Sequence, residues 1–281
     1  MKYFPIKKLE QFSDIKAHTI RTWEKRHNIF KPIRNGNIRS YSLDDVRLLL
    51  NINILLKQGH RISGIAKMAL ADIDTKVQSI QSLTIFYDLL INTMLTSMYA
   101  GEIEKLEQAL DTCVSRSNID TTIKEVIIPF LERTQLLSYN DTSSEAHFAV
   151  TAIRRKLILG IETLKSETHP KQTALLFLPE GEHYDLLLLY HNYILKANGL
   201  KILYLGTNIS PDNFETVIKQ KRPDYIYTYI TTAYSSDLRK YIHILENELP
   251  DSSLHIAEEE KGVLQIKTKI KLLYTDHKNI S

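Results

Sequence analysis

The chain has 281 residues, 43% hydrophobic and 25% charged, the make-up of a soluble protein with two or three compact domains. Its single cysteine, Cys113, excludes a disulfide framework and any multi-cysteine metal site. The net charge of +3 conceals a division: residues 1–72 carry 14 Lys/Arg against 6 Asp/Glu, and the remainder 22 against 27, so the basic end asks for a polyanionic partner. No apolar run approaches the roughly 18 residues of a membrane span, and Met1 to Pro5 carry no apolar signal region. A cytoplasmic protein with no membrane partner is expected.

In chain order, residues 5–12 read as a short helix with Ile6, Leu9 and Phe12 inward, closed by a Ser13-Asp14 turn that offers an N-cap. A second helix over 15–26 places Ala17, Ile20 and Trp23 on one face and Lys16, His18, Thr19, Thr22 and Arg26 on the other. Trp23 belongs with the packing face. Asn35-Gly36 is a hairpin signal and predicts a small basic wing over 31–40. Ser42 to Asp45 resembles a capping box that opens a helix to about Lys57, ended by Gly59. A short helix over 62–70 and a polar link over 71–77 follow. Helical periodicity then continues to about 168, with helices near 80–99, 102–116, 119–137 and 143–166, a four-helix bundle in which Cys113 takes a core position. From Pro170, strands near 173–178, 201–205, 225–230, 253–257 and 270–274 alternate with helices, the pattern of a doubly wound parallel sheet. The fold class is therefore multi-domain: an α winged helix-turn-helix over 1–75, a four-helix bundle over 78–168, and a doubly wound α/β domain over 170–281.

Two helices and a tight turn followed by a basic wing suit insertion of the second helix into the major groove of duplex DNA. The string Ile15-Lys16-Ala17-His18-Thr19-Ile20-Arg21-Thr22-Trp23-Glu24-Lys25-Arg26, followed by Pro32, Arg34, Asn37-Ile38-Arg39 and Tyr41-Ser42, closely resembles the N-terminal domain of MerR-type regulators. The resemblance implies DNA contacts from Lys16, His18, Thr19, Arg21, Arg26, Arg34, Asn37, Arg39 and Tyr41.

The C-terminal part resembles a second family. Phe177 to Glu182, a helix, and then Ile202 to Gly206 look like a cobalamin-binding domain, and the whole layout is similar to the CarH/LitR photoreceptor regulators. In that family adenosylcobalamin promotes a DNA-bound oligomer and light releases it. The ligand motifs depart from the pattern. Of Glu-x-His-x-x-Gly, Glu182 keeps the Glu, but Tyr184 stands for the His and Leu187 for the Gly. His183 is one place off and reads as a surface residue. The bundle's expected Trp is missing, since Trp23 lies in the helix-turn-helix. Of the Glu-His pair expected about ten residues after that Trp, only His147 remains, with Ala146 in the Glu place. The glycine-rich loop expected after the fourth strand is Ala257 to Gly262, with Glu258, Glu259 and Glu260 to repel a phosphodiester. The expectation is a cobalamin-type fold without cobalamin, adenosylcobalamin being the alternative. Its crevice, lined by Tyr184, His183, Thr207, Thr231, Tyr234 and Ser235, is open to another small molecule, a protein partner or nothing.

The function expected is a DNA-binding transcription regulator, cobalamin-independent, acting on double-stranded DNA as a homodimer or tetramer. Its C-terminal domains serve oligomerisation or the sensing of an effector or partner. The alternatives are a light-responsive repressor with a shifted cobalt ligand, and an antirepressor working through a protein partner. With no P-loop, His-Glu-x-x-His or Gly-x-Ser-x-Gly motif, an enzyme is not expected.

Overall fold

A computed structural model describes residues 2–36, 38–136, 143–164, 172–183, 185–230, 238–249 and 253–258. The chain divides into two compact units, residues 1–153 and 154–281.

The first unit opens with strand β1 (Tyr3–Pro5) and helices α1 (Ile6–Ser13) and α2 (Ala17–His27). Asp14 ends α1 in the left-handed region, φ 58°, rather than capping α2. The cap comes from the preceding helix: a carboxylate oxygen of Glu10 accepts the Ala17 N–H at 3.2 Å, while its other oxygen holds Lys16. The wing follows as β2 (Ile33–Asn35) and β3 (Ile38–Ser42), antiparallel, with Gly36 at φ 58° in the turn. β1 adds to β3, so the sheet runs β1-β3-β2.

The expected capping box is present. The Ser42 hydroxyl accepts the Asp45 N–H at 3.1 Å and the Asp45 carboxylate accepts the Ser42 N–H at 2.9 Å, opening α3 (Leu43–Lys57). Gly59, at φ 85°, closes it. α4 (Ile62–Ile65) is shorter than expected, and the supposed polar link is a helix, α5 (Leu70–Gln78). Ile73 and Val77, four residues apart, are both buried, so two apolar anchors are enough to fold an otherwise polar stretch.

Helices α6 (Leu83–Ala100) and α7 (Ile103–Arg116) pack side by side. The third helix expected here is broken into α8 (Ile119–Thr122), a π-helical turn (Ile123–Ile127) and α9 (Ile128–Thr134). Pro129 accounts for the widening: it has no N–H to give and its ring displaces the carbonyl four residues back, so the Ile128 N–H reaches to Ile123 instead. The core joins Met94, Leu95 and Met98 with Leu106, Leu110, Cys113, Val126, Ile127, Phe130 and Leu131. Cys113 is fully buried, and burial pushes its thiol pKa up. α10 (Ser144–Thr163) follows, and the division between the units falls within it.

One buried carboxylate ties three helices of this unit together. Asp88 on α6 accepts Lys57 Nζ of α3 at 2.7 Å and Arg133 Nη2 of α9 at 2.6 Å. Arg133 also donates to the Asn92 side chain, and its backbone carbonyl accepts from Gln11 of α1. Nearby, Phe4, Phe12 and Tyr99 form an edge-on aromatic cluster beneath the Lys2 ammonium.

In the second unit β4 (Thr173–Pro179), β5 (Lys201–Ile209), β6 (Tyr225–Ile230) and β7 (Ser253–Glu258) form a parallel sheet in the order β5-β4-β6-β7. The connecting helices are α11 (Leu186–Ala197), α12 (Pro211–Lys221) and α13 (Leu238–Glu248). β4 is buried from Ala174 to Pro179, as a central strand covered on both faces must be. Leu175 and Phe177 pack with Phe214, Ile218 and Tyr241; Ala174, Leu176 and Leu178 pack with Leu188 of α11. The strand expected at 270–274 lies outside the described residues. Among the described residues no helix is long and apolar enough to cross a membrane.

Burial would raise the Asp88 pKa, but the bonds from Lys57 and Arg133 outweigh it and hold the carboxyl below its usual value. A depressed carboxyl stabilises above its unfolded pKa, and that stability is lost as pH falls through the folded value. Asp88→Asn should therefore cost the first unit about 2 kcal/mol at neutral pH, with the gap between variant and wild type narrowing below about pH 4. Chemical denaturation across pH checks this; a gap independent of pH would refute the assignment.

Candidate nucleic-acid interface and α/β crevice

α2 buries Ile20 and Trp23 and leaves His18, Arg21, Thr22 and Lys25 exposed at i, i+3, i+4 and i+7, one continuous stripe. Trp23 thus lies on the packing face. Lys16 and Arg26 are exposed near the two ends of α2 and Thr19 is half-buried, its hydroxyl 3.3 Å from His18 Nε2. Lys25 belongs to the stripe although the sequence reading passed over it, and its spacing from His18 and Arg21 was the available signal. Arg34 and Arg39 are directly opposite on the wing. Asn37 lies outside the described residues.

Tyr41 is not on this surface. Its side chain is fully buried against Phe30, and its hydroxyl donates to Glu24 Oε2 at 3.0 Å. Burial first, and then the carboxylate, hold its pKa well above the ordinary phenol value. Glu24, like Lys25, escaped the sequence reading. Its side chain, 11% exposed, takes Arg34 Nη2 and Arg39 Nε on Oε1, each at 3.2 Å, while Tyr41 occupies Oε2. A lone acid in a basic helix, followed by two arginines and a tyrosine in a hairpin, was its signature.

The second candidate site is the crevice where the chain reverses direction across the sheet, at the C-terminal ends of β4 and β6. The loop after β4 is pinned from outside. The Gly181 N–H donates to Asn208 Oδ1 at 2.9 Å, the Asn208 N–H to the Glu182 carbonyl at 3.0 Å, and the Glu180 N–H to the Tyr241 hydroxyl at 3.0 Å. Glu182 is buried and His183 is exposed. Thr207 is half-buried on β5. Tyr184, Thr231, Tyr234, Ser235 and residues 259–262 lie outside the described residues, and Ala257 and Glu258 still belong to β7.

The described residues do not suit a corrinoid of the family pattern. The pattern's glycine position is held by Leu187, a half-buried side chain packed against the cluster of Ala174, Leu176, Leu178 and Leu188, where a glycine would place none. The one imidazole on the loop, His183, stands a residue before the pattern's ligand position. His147 is exposed on α10. Two buried side-chain atoms have no hydrogen-bond partner among the described residues, Asn192 Oδ1 on α11 and the Thr228 hydroxyl on β6.

Residues 4–72 match the MerR HTH family regulatory protein domain. Over 247 residues the chain is 24% identical to the HTH-type transcriptional repressor CarA of Myxococcus xanthus, covering 87% of this chain and 81% of that protein. Among solved structures it resembles the monomethylamine corrinoid protein of Methanosarcina barkeri, with TM-score 0.50 at 12% identity, over 66% of this chain and 92% of that one. A cobalamin-binding protein of Desulfitobacterium hafniense DCB-2 aligns at TM-score 0.33 and 15% identity, over 61% and 85% of the two chains. The MerR match and the likeness to the monomethylamine corrinoid protein establish a multi-domain layout of a helix-turn-helix, a helical region and a cobalamin-binding-like parallel α/β fold.

If Leu187 is a packing residue, Leu187→Gly should lower the stability of the second unit by about 2–3 kcal/mol, from lost apolar burial and added backbone freedom. An unchanged thermal midpoint would place the Leu187 side chain outside the core.

Proposed function

We propose that this MerR-type transcription regulator, similar to CarA and carrying a cobalamin-binding-like fold, binds double-stranded DNA through α2 and its wing and does so without cobalamin. The observation that carries the DNA reading is the exposed stripe of His18, Arg21, Thr22 and Lys25 on a helix whose opposite face is buried, in the segment that matches the MerR domain. In the major groove this stripe offers cations to phosphates and base edges, while Lys16, Arg26, Arg34 and Arg39 flank it. Thr19 contributes its hydroxyl, and Asn37 is included on the sequence resemblance alone. Tyr41 acts from beneath the surface, through Glu24.

The absence of cobalamin is argued from Leu187, which packs against the core where the pattern has glycine, and from the missing imidazole at the pattern's ligand position. The second unit then serves oligomerisation, a protein partner or another small ligand, and the regulator works as a homodimer or tetramer divided into residues 1–75, 78–168 and 170–281. No catalytic step is assigned to it. A second reading, a light-responsive repressor using adenosylcobalamin, is favoured by the corrinoid-protein fold and by the unpartnered Thr228 hydroxyl.

Purification with excess adenosylcobalamin in the dark, followed by a visible spectrum and a gel shift before and after green light, separates the two. The first reading expects a colourless protein that binds DNA equally in both conditions. Bound corrinoid with light-sensitive DNA binding would replace it with the second. Arg21→Ala should weaken binding at all sequences and flatten the dependence of log Kd on log salt by about 1, as the loss of one phosphate contact requires. An unchanged affinity and slope would remove Arg21 from the interface.

A further inference from the structure

We propose that Glu24 is a positioning residue for DNA binding, a carboxylate that holds the two wing arginines in register with α2 so that both reach the phosphate backbone. The proposal rests on the DNA reading above and adds to it a residue of the sign opposite to the ligand.

Arg34 and Arg39 are Cα partners across β2 and β3, so their side chains leave the same face of the hairpin. Two like charges directly opposite in a ladder repel and would drive the guanidinium groups apart. Glu24 stands between them, and Oε1 accepts from both at 3.2 Å. The carboxylate cannot swing away, because Oε2 is held by the buried Tyr41 hydroxyl. Glu24 is the one acid in α2, set among His18, Arg21, Lys25, Arg26 and His27. For a surface that attracts DNA by charge alone, it is the wrong sign.

The bonds it takes leave the arginines able to act. A guanidinium has five N–H donors. Arg39 spends its Nε and Arg34 one Nη2 hydrogen, and among the described residues neither has another hydrogen-bond partner. The remaining donors suit a phosphate, which a guanidinium prefers to grip with two of them at once. The chain of contacts Tyr41 to Glu24 to arginine to phosphate fixes the wing before DNA arrives, so the side chains lose less freedom on binding.

Charge and position predict opposite signs for one substitution. Glu24→Gln removes a negative charge near DNA, and charge alone would tighten binding. Loss of position would weaken it. The test uses the full chain and a fluorescein-labelled random-sequence duplex of about 30 base pairs, with anisotropy read from about 50 to 200 mM salt. The expected result is binding about tenfold weaker in Glu24→Gln, with a salt slope shallower by about 1–2, since each lost phosphate contact removes about 0.9. Tyr41→Phe leaves the charge unchanged and should weaken binding in the same direction by about threefold; it carries the test if Glu24→Gln does not fold. In an Arg34→Ala/Arg39→Ala background, Glu24→Gln should have no further effect. Equal or tighter binding by Glu24→Gln would overturn the proposal, as would a lowered thermal midpoint with an unchanged salt slope. No binding by the wild-type chain would overturn the DNA reading and this proposal with it.

Discussion

The first unit depends on a carboxylate that water cannot reach easily. Asp88 is 7% exposed and draws two cations from different helices onto itself, Lys57 from α3 and Arg133 from α9. A buried charge is costly unless its partners are fixed, so the arrangement admits few alternatives to the observed one. α3 carries the wing's capping box at its start and Lys57 at its end. The helix that anchors the wing and the helices of the bundle are thus parts of one packed body. Gln11 and the Phe4–Phe12–Tyr99 cluster extend the same joint to α1.

Glu24 repeats this logic on a smaller scale. Both sites place one shielded carboxylate between two cations, and in both the acid organises basic side chains that would otherwise repel. They differ in what the cations do next. Lys57 and Arg133 are spent within the fold, whereas Arg34 is 61% exposed on its side chain and keeps donors for a ligand. The second unit relies on apolar packing instead. β4 is covered on both faces, and the rings of Phe177, Phe214 and Tyr241 pack tilted and edge-on against one another on one of them.

Much of this was legible from the sequence because the signals were local. The Ser42 capping box, the Asn35-Gly36 turn, the buried face of Ile20 and Trp23, and the alternation of strands and helices after residue 172 all depend on residues within a few positions of one another. What was missed depends on partners further off or on too few anchors. Glu10 caps α2 from the preceding helix, so no window centred on Ser13 could show it. α5 is held by two apolar residues, below what a periodicity reading registers. The π turn follows from one proline whose effect runs backwards along the chain. Tyr41 shows the limit of resemblance: a residue implied to touch DNA is buried, and only its tie to Glu24 explains how it still bears on the surface.

The loop after β4 has a consequence of its own. Asn208, held at φ 58°, clasps it at two points, by its side-chain oxygen and by its own N–H, and Tyr241 adds a third. Each clasp meets the loop through its backbone. The clasps spare the side chains, but the turn itself needs Gly181, whose φ of 87° disfavours any L side chain, and Glu182 is buried, so the exposed Glu180 and His183 are the positions at which the loop can vary. Substitution at those two positions changes what the crevice displays while the glycine turn and its backbone clasps stay in place.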